Sequence, residues 1–131
     1  MSNSPIPPEK PPVKGLRHLV KATGYSLQGL VFALREETAF RQELGLVILM
    51  TPLAFLIGND LKESALLIAT LLLVLIVELL NSAIEAAIDR IGPESHPLSG
   101  KAKDLGSAAV FIALILTGLI WSLTIYQNLL V

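Results

Sequence analysis

Apolar residues recur along the chain on two scales. Between Gly15 and about Phe40, the residues Leu16, Leu19, Val20, Leu27, Leu30, Val31 and Leu34 return at spacings of three and four, with Arg17, Lys21 and Gln28 between them. That is the period of an amphipathic helix. It is too polar to span a bilayer, so a surface helix over 15–38 lying flat among lipid headgroups is expected. A helix facing the core of a soluble domain is the alternative, and the segments that follow weigh against it. A break is expected near Gly24, Tyr25 and Ser26, because each helical glycine costs up to ~1 kcal/mol. Three longer apolar runs come next, at 44–57, 64–88 and 105–131. A span takes ~20 predominantly apolar residues, so the second and third qualify and the first does if the helix starts near Phe40. Three transmembrane helices over 40–58, 64–89 and 104–129 are therefore expected. Gly58, Asn59 and Asp60 read as the turn between the first two, and 91–100, with Pro93 and Pro97, as the loop between the last two. Five of the eight prolines fall within residues 1–12, and the segment to residue 14 reads as a flexible tail without the apolar stretch of a signal peptide.

Composition narrows the class. Of 131 residues 53% are hydrophobic and 16% charged, against about 25% charged in an ordinary soluble domain. Eleven acidic and ten basic side chains leave a net charge of −1, which offers no footprint for nucleic acid. The absence of cysteine excludes a disulfide scaffold, a thiolate metal site and cysteine catalysis. Six Lys/Arg precede the first span (Lys10, Lys14, Arg17, Lys21, Arg35 and Arg41), the first loop offers Lys62, and the second offers Arg90, Lys101 and Lys103. The positive-inside rule then puts the N-terminus and second loop in the cytoplasm and the C-terminus on the far side.

The chemistry is concentrated in the second span. At about 100° per residue, Glu78, Asn81, Glu85 and Asp89 lie within about 80° of one another and form one polar stripe. Glu78 falls about 18 Å from the cytoplasmic end, where a carboxylate costs at least ~2.5 kcal/mol unless compensated. Such a stripe can join protomers through hydrogen bonds. Two carboxylates and an amide at this spacing, with an Asp at the mouth, also suit a cation site or a proton acceptor. Glu36, Glu37, Arg41 and Glu43 join the surface helix to the first span, and Lys101, Lys103 and Asp104 open the third. Singly, these read as headgroup anchors, positive-inside markers or a dipole-complementing first turn. Together they bring acidic oxygens that suit magnesium and lysines that suit phosphate to one membrane face. Small residues at Ser82, Ala83, Ala86, Ala87, Gly106 and Ala109 permit close helix contacts, and three spans can hardly enclose a charged stripe without oligomerisation. Trp121 and Tyr126 fit the aromatic belt at the far interface. No Walker loop, protein-kinase motif or Ser-His-Asp arrangement is present.

The runs Glu37 to Glu43, Glu78 to Glu85, Asp89 to Gly92, His96 to Asp104 and Gly106 to Val110 together resemble the prokaryotic integral-membrane diacylglycerol kinase family, in matching order over about residues 20–131. The resemblance implies an all-α membrane domain of three transmembrane helices plus the surface helix, assembled as a homotrimer in the bacterial inner membrane. It implies transfer of the γ-phosphoryl of ATP to diacylglycerol, with Mg2+ as cofactor. By position, Glu78 resembles the proton acceptor, Asn81 a residue orienting the reacting groups, and Glu37 and Glu85 magnesium ligands that also contact the nucleotide. His18, Tyr25, Glu94, His96, Lys103 and Asp104 match nucleotide-side positions. Ala39, Phe40, Arg41, Gln42, Glu43, Glu78, Ser107 and Trp121 match lipid-side positions. His18 stands where some members carry an arginine, and Ser95 where an aromatic is common. Undecaprenol kinase, an activity of the same family, is the close alternative. A small ion-coupled transporter, which leaves Lys103, Asp104 and the surface helix unexplained, and an accessory assembly subunit, with the stripe as interface, are the distant ones.

Overall fold

The computed structural model describes residues 15–131; the tail expected over 1–14 lies outside the described residues. The chain divides into two units, one ending at Phe32 and one running from Ala33 to Val131. Helix α1 (Leu16–Glu36) fills the described part of the first, and its last turn belongs to the second. The break expected near Gly24 is absent. The hydroxyls of Thr23 and Ser26 donate back to the carbonyls of Leu19 and Ala22 at 2.9 and 3.0 Å, inside the helix. An uninterrupted backbone ladder on both sides outweighs a glycine's cost of ~1 kcal/mol.

The second unit is an antiparallel helical bundle of α2 (Thr38–Ile57), α3 (Leu61–Ile91) and α4 (Pro97–Ile125), closed by a π-helical turn (Tyr126–Leu130). All three helices are long and apolar enough to cross a membrane. Among the described residues there is no strand. Between α1 and α2 only Glu37 is extended, at φ −102° and ψ 105°. Arg41 fastens this corner: its guanidinium donates to the carbonyls of Leu34 and Arg35 at 3.1 and 2.9 Å and to Thr38 Oγ1 at 3.1 Å. A cation on the last carbonyls of α1 also complements its dipole.

The α2–α3 turn is tight because two helix ends interlock. Asp60 caps α3 by accepting from the Glu63 amide at 2.8 Å, while Ser64 Oγ donates to the Ala54 carbonyl at 3.1 Å. A Cβ on Gly58 would stand 2.5 Å from Ser64 Oγ and 2.8 Å from its amide nitrogen, so only glycine fits. Asn128, from the π-helical turn, closes the same end by donating to the Ile57 carbonyl at 2.9 Å and to Glu63 Oε2 at 2.6 Å.

The α3–α4 loop is shorter than the sequence suggested. Helix α4 begins at Pro97, so 97–100 is helical. A proline at the first helical position sacrifices no hydrogen bond, and His96 caps the turn by accepting the Leu98 amide on Nδ1 at 3.0 Å.

Helix α3 lies between the other two. Its core contacts are Leu67 and Leu71 with Ala54 and Trp121, and Leu75 with Phe40 and Ala33. Most other apolar side chains, such as Leu49, Leu56, Phe111 and Ile115, face outward. Outward-facing leucine is stable only where the surroundings are themselves apolar, as in a bilayer. Trp121 departs from the expected interface belt. It is 5% exposed, and its indole donates to Thr70 Oγ1 at 3.1 Å, while Thr117 Oγ1 donates to the Thr70 carbonyl at 3.3 Å. An indole N–H in hydrocarbon needs a partner, and a hydroxyl one helix away supplies it.

Candidate active site

Helix α3 carries Glu78 at its middle, buried to 5% exposure inside an apolar run. One turn on, the Asn81 carboxamide donates from Nδ2 to Glu85 Oε1 at 3.4 Å. Glu85 and Glu37 lie within electrostatic reach of Glu78, and Glu78 within that of Glu43 on α2. Carboxyl groups from α3, α2 and the corner at Glu37 are thus each within electrostatic reach of Glu78. Among the described residues the ion pair is Lys103 with Asp89, and none of the four glutamates has a basic partner. Glu43 Oε2, Asn81 Oδ1 and Ser82 Oγ are buried without hydrogen-bond partners. Negative charge gathered this way in an apolar setting needs a cation or protons to be stable.

A second locus lies at the α3–α4 turn. Asp89, Glu94, His96, Ser99, Gly100 and Lys103 line a cleft of about 280 Å3. A further hollow of about 330 Å3 shares Glu94 and His96 and is walled by Ile88, Ile91 and Leu98. The Lys103 ammonium is held at the cleft by Asp89 Oδ1, 3.0 Å away.

Of the sequence-expected residues, Glu37, Glu43, Glu78, Asn81 and Glu85 come together in the acidic cluster. Glu94, His96 and Lys103 come together at the cleft. Asp104 and Ser107 are exposed on the first turns of α4, and Ala39 and Gln42 on α2. Phe40 is buried against Ala33 and Leu75, and Trp121 packs on Leu67 and Leu71. Leu67 and Glu78 are eleven residues apart on one helix, about 16 Å, so Trp121 is well removed from the acidic cluster. His18 and Tyr25 lie exposed on the first unit.

Residues 24–125 match the family model for prokaryotic diacylglycerol kinase. The chain belongs to the prokaryotic diacylglycerol kinase family. Relatives named diacylglycerol kinase are similar over most of their length. One from Haemophilus influenzae is 54% identical over 107 residues, 82% of this chain and 91% of that protein. One from Pseudomonas aeruginosa is 54% identical over 108 residues, covering 82% and 88% of the two chains. One from Escherichia coli is 48% identical over 114 residues, covering 87% and 93%. Membership of the diacylglycerol kinase family makes the chain an enzyme of the kinase class and a membrane protein.

A kinase implies a divalent metal, and the donors here fit magnesium. All are hard oxygens, the type that this ion takes. Among the described residues no three His, Cys, Asp or Glu side chains form a ready-made metal cage. Glu37, Glu78 or Glu85 could each give such an ion one or two oxygens, and its remaining ligands would come from elsewhere, as is common for magnesium. Two features of this diacylglycerol kinase family member escaped the sequence reading. Ser82, read only as a small packing residue, leaves a buried hydroxyl unpartnered one turn from Glu78. Gly106 abuts Asn81 across the α3–α4 interface. The one-turn spacing of Glu78 and Ser82 was a signal available for the first; the second needs the relative rotation of two helices, which sequence periodicity does not contain.

Proposed function

We propose that the protein transfers the γ-phosphoryl group of ATP to the free hydroxyl of diacylglycerol, giving phosphatidic acid and ADP. The observation that carries the reading is Glu78, a carboxyl group buried in an apolar span, unpaired by any basic side chain among the described residues, with three further glutamates within electrostatic reach and a lysine-bearing cleft along the same helix. In the reaction the diacylglycerol oxygen attacks the γ-phosphorus, the bond from that phosphorus to the ADP oxygen breaks, and the hydroxyl proton passes to the Glu78 carboxylate. Asn81 holds Glu85 through its amide. Magnesium, held by Glu37 and Glu85, supplies neutralisation of phosphate charge when bound. The Lys103 ammonium lies where it adds positive charge to the phosphates, and Glu94, His96 and Asp104 contact the nucleotide beside it. His18 and Tyr25 are the nucleotide-side candidates on the surface helix.

Ala39, Arg41, Gln42, Glu43 and Ser107 face the lipid substrate, with Phe40 packed behind as a support; Trp121, well removed from the acidic cluster, joins α3 to α4 instead. The surface helix and three spans form one membrane-embedded domain over 15–131, assembled as a homotrimer with composite sites. The bacterial inner membrane holds it with the N-terminus and the α3–α4 turn in the cytoplasm and the C-terminus on the far side. The lysine and arginine asymmetry between the loops supports this orientation.

The test is transfer from γ-labelled ATP in mixed micelles, with diacylglycerol and undecaprenol offered in parallel. Strong labelling of diacylglycerol, abolished by chelating magnesium, is expected. A preference for undecaprenol overturns the lipid assignment, and transfer to neither overturns the reading. In the same assay Lys103→Ala should raise KM for ATP about tenfold, since a charge-assisted contact to phosphate contributes roughly 1.5–3 kcal/mol. Thermal stability should hardly move, because both side chains of the Lys103–Asp89 pair are substantially exposed and such pairs contribute about 0–1 kcal/mol. An unchanged KM would remove Lys103 from the nucleotide site.

A further inference from the structure

Gly106 of helix α4 is buried against α3. A Cβ built there collides with Asn81 Oδ1 and stands 3.4 Å from Asn81 Cγ and 3.7 Å from Ile84 Cδ1. Gly100 and Gly118, on the same helix, have open space where their side chains would be, so the approach is particular to this position. The missing Cβ occupies the direction of one glycine hydrogen. The Asn81 oxygen therefore faces a Cα–H bond, an arrangement with weak hydrogen-bond character. It is buried and has no other partner among the described residues. A carboxamide is planar, so an oxygen seated on α4 leaves its nitrogen directed along α3. There Nδ2 donates to Glu85 Oε1 at 3.4 Å, a length at which a small rotation breaks the bond.

We propose that Gly106 is a positioning residue for phosphoryl transfer: its bare Cα seats the Asn81 carboxamide so that the amide nitrogen meets Glu85. The inference rests on the roles proposed above for Asn81 and Glu85. A methyl group at residue 106 forces the short Asn81 side chain to swing away, and Glu85 loses its donor. The fold has little reason to suffer, because alanine is the better helix former and the atom its methyl group meets first is the end of a side chain rather than backbone. The damage falls on alignment.

Gly106→Ala should lower kcat roughly 100-fold, the scale of a misalignment of about 1 Å. KM for ATP and for diacylglycerol should stay within about twofold, since neither substrate loses a contact. Gly118→Ala, the matched control, should leave both constants unchanged. The double variant Gly106→Ala/Asn81→Ala should be no slower than Asn81→Ala alone, because the two changes remove one shared interaction. Wild-type kcat in Gly106→Ala, or losses that multiply in the double variant, overturns the inference.

An independent readout is the side-chain NH2 resonance of Asn81. It should shift in Gly106→Ala and stay put in Gly118→Ala; an unshifted resonance in the first also overturns the inference. If the wild type transfers no phosphate to diacylglycerol, the proposed reaction falls, while a shifted resonance still supports the contact. Should Gly106→Ala fail to fold, the double variant decides: a recovered fold locates the collision at Asn81, and an unrecovered one overturns the proposal.

Discussion

Glu78→Gln is expected to yield a folded, oligomeric protein whose phosphate transfer is slower by about 1,000-fold, the usual range for losing a general base. Glutamine keeps the volume and one acceptor of glutamate and removes its capacity to take a proton. It also removes a negative charge from among Glu37, Glu43 and Glu85, all of which lie within electrostatic reach. Repulsion in the cluster therefore falls, and stability should hold or rise. A stripe that served only to join protomers makes the opposite forecast, with association weakened and turnover per folded protein intact. Labelled-ATP transfer and size analysis of the same sample separate the two. Wild-type-like turnover removes Glu78 from the chemistry.

The largest loss of stability is expected at Trp121. The indole is 5% exposed, fills the space between Ala54, Leu67 and Leu71, and is bonded to Thr70. In soluble cores a tryptophan truncated to alanine costs about 3–5 kcal/mol. Lipid supplies no hydrophobic drive between helices, so the low end, about 3 kcal/mol, applies here. Trp121→Phe retains most of the packing and loses the hydrogen bond, at about 1 kcal/mol, the typical size of a bond between membrane helices. Reversible unfolding in detergent or bicelles measures both. Equal losses in the two variants would mean that the bond to Thr70, rather than the packing, holds α3 to α4.

The sequence resolved whatever depends on one helix at a time. Apolar runs of sufficient length stand out without any knowledge of neighbours, and so does a glutamate within such a run. At 3.6 residues per turn the shared face of Glu78, Asn81 and Glu85 follows from counting, and the hydrogen bond between Asn81 and Glu85 has that origin. Terms that compete locally were harder to read. Pro97 is both a loop residue and a favoured first helical residue, and the His96 cap selects the second. Gly24 weakens a helix without breaking one, and Thr23 and Ser26 bond within it rather than against it. What sequence could not supply is the rotation of one helix against another. Trp121 looked like an interfacial aromatic because its depth along α4 is readable, whereas the side of α4 that faces Thr70 is not. Gly106 and Asn81 are 25 positions apart, and neither residue type announces the other.

Asn128 ties the ends of all three spans at one side of the bundle through Ile57 and Glu63. Midway, Thr70 stitches α3 to α4. At the opposite side α3 and α4 are joined by their own turn and by the exposed Lys103–Asp89 ion pair, while among the described residues no side-chain hydrogen bond joins α2 to α3 there. Between α2 and α3 the bundle is thus fastened at one extremity and not at the other, in the manner of tongs sprung from a fixed rivet. A parting of α2 from α3 at the acidic end would therefore break none of the far-end bonds, about which the hinge would turn. A single carboxamide from the last turn of the chain, remote from every reacting group, sets where that hinge lies.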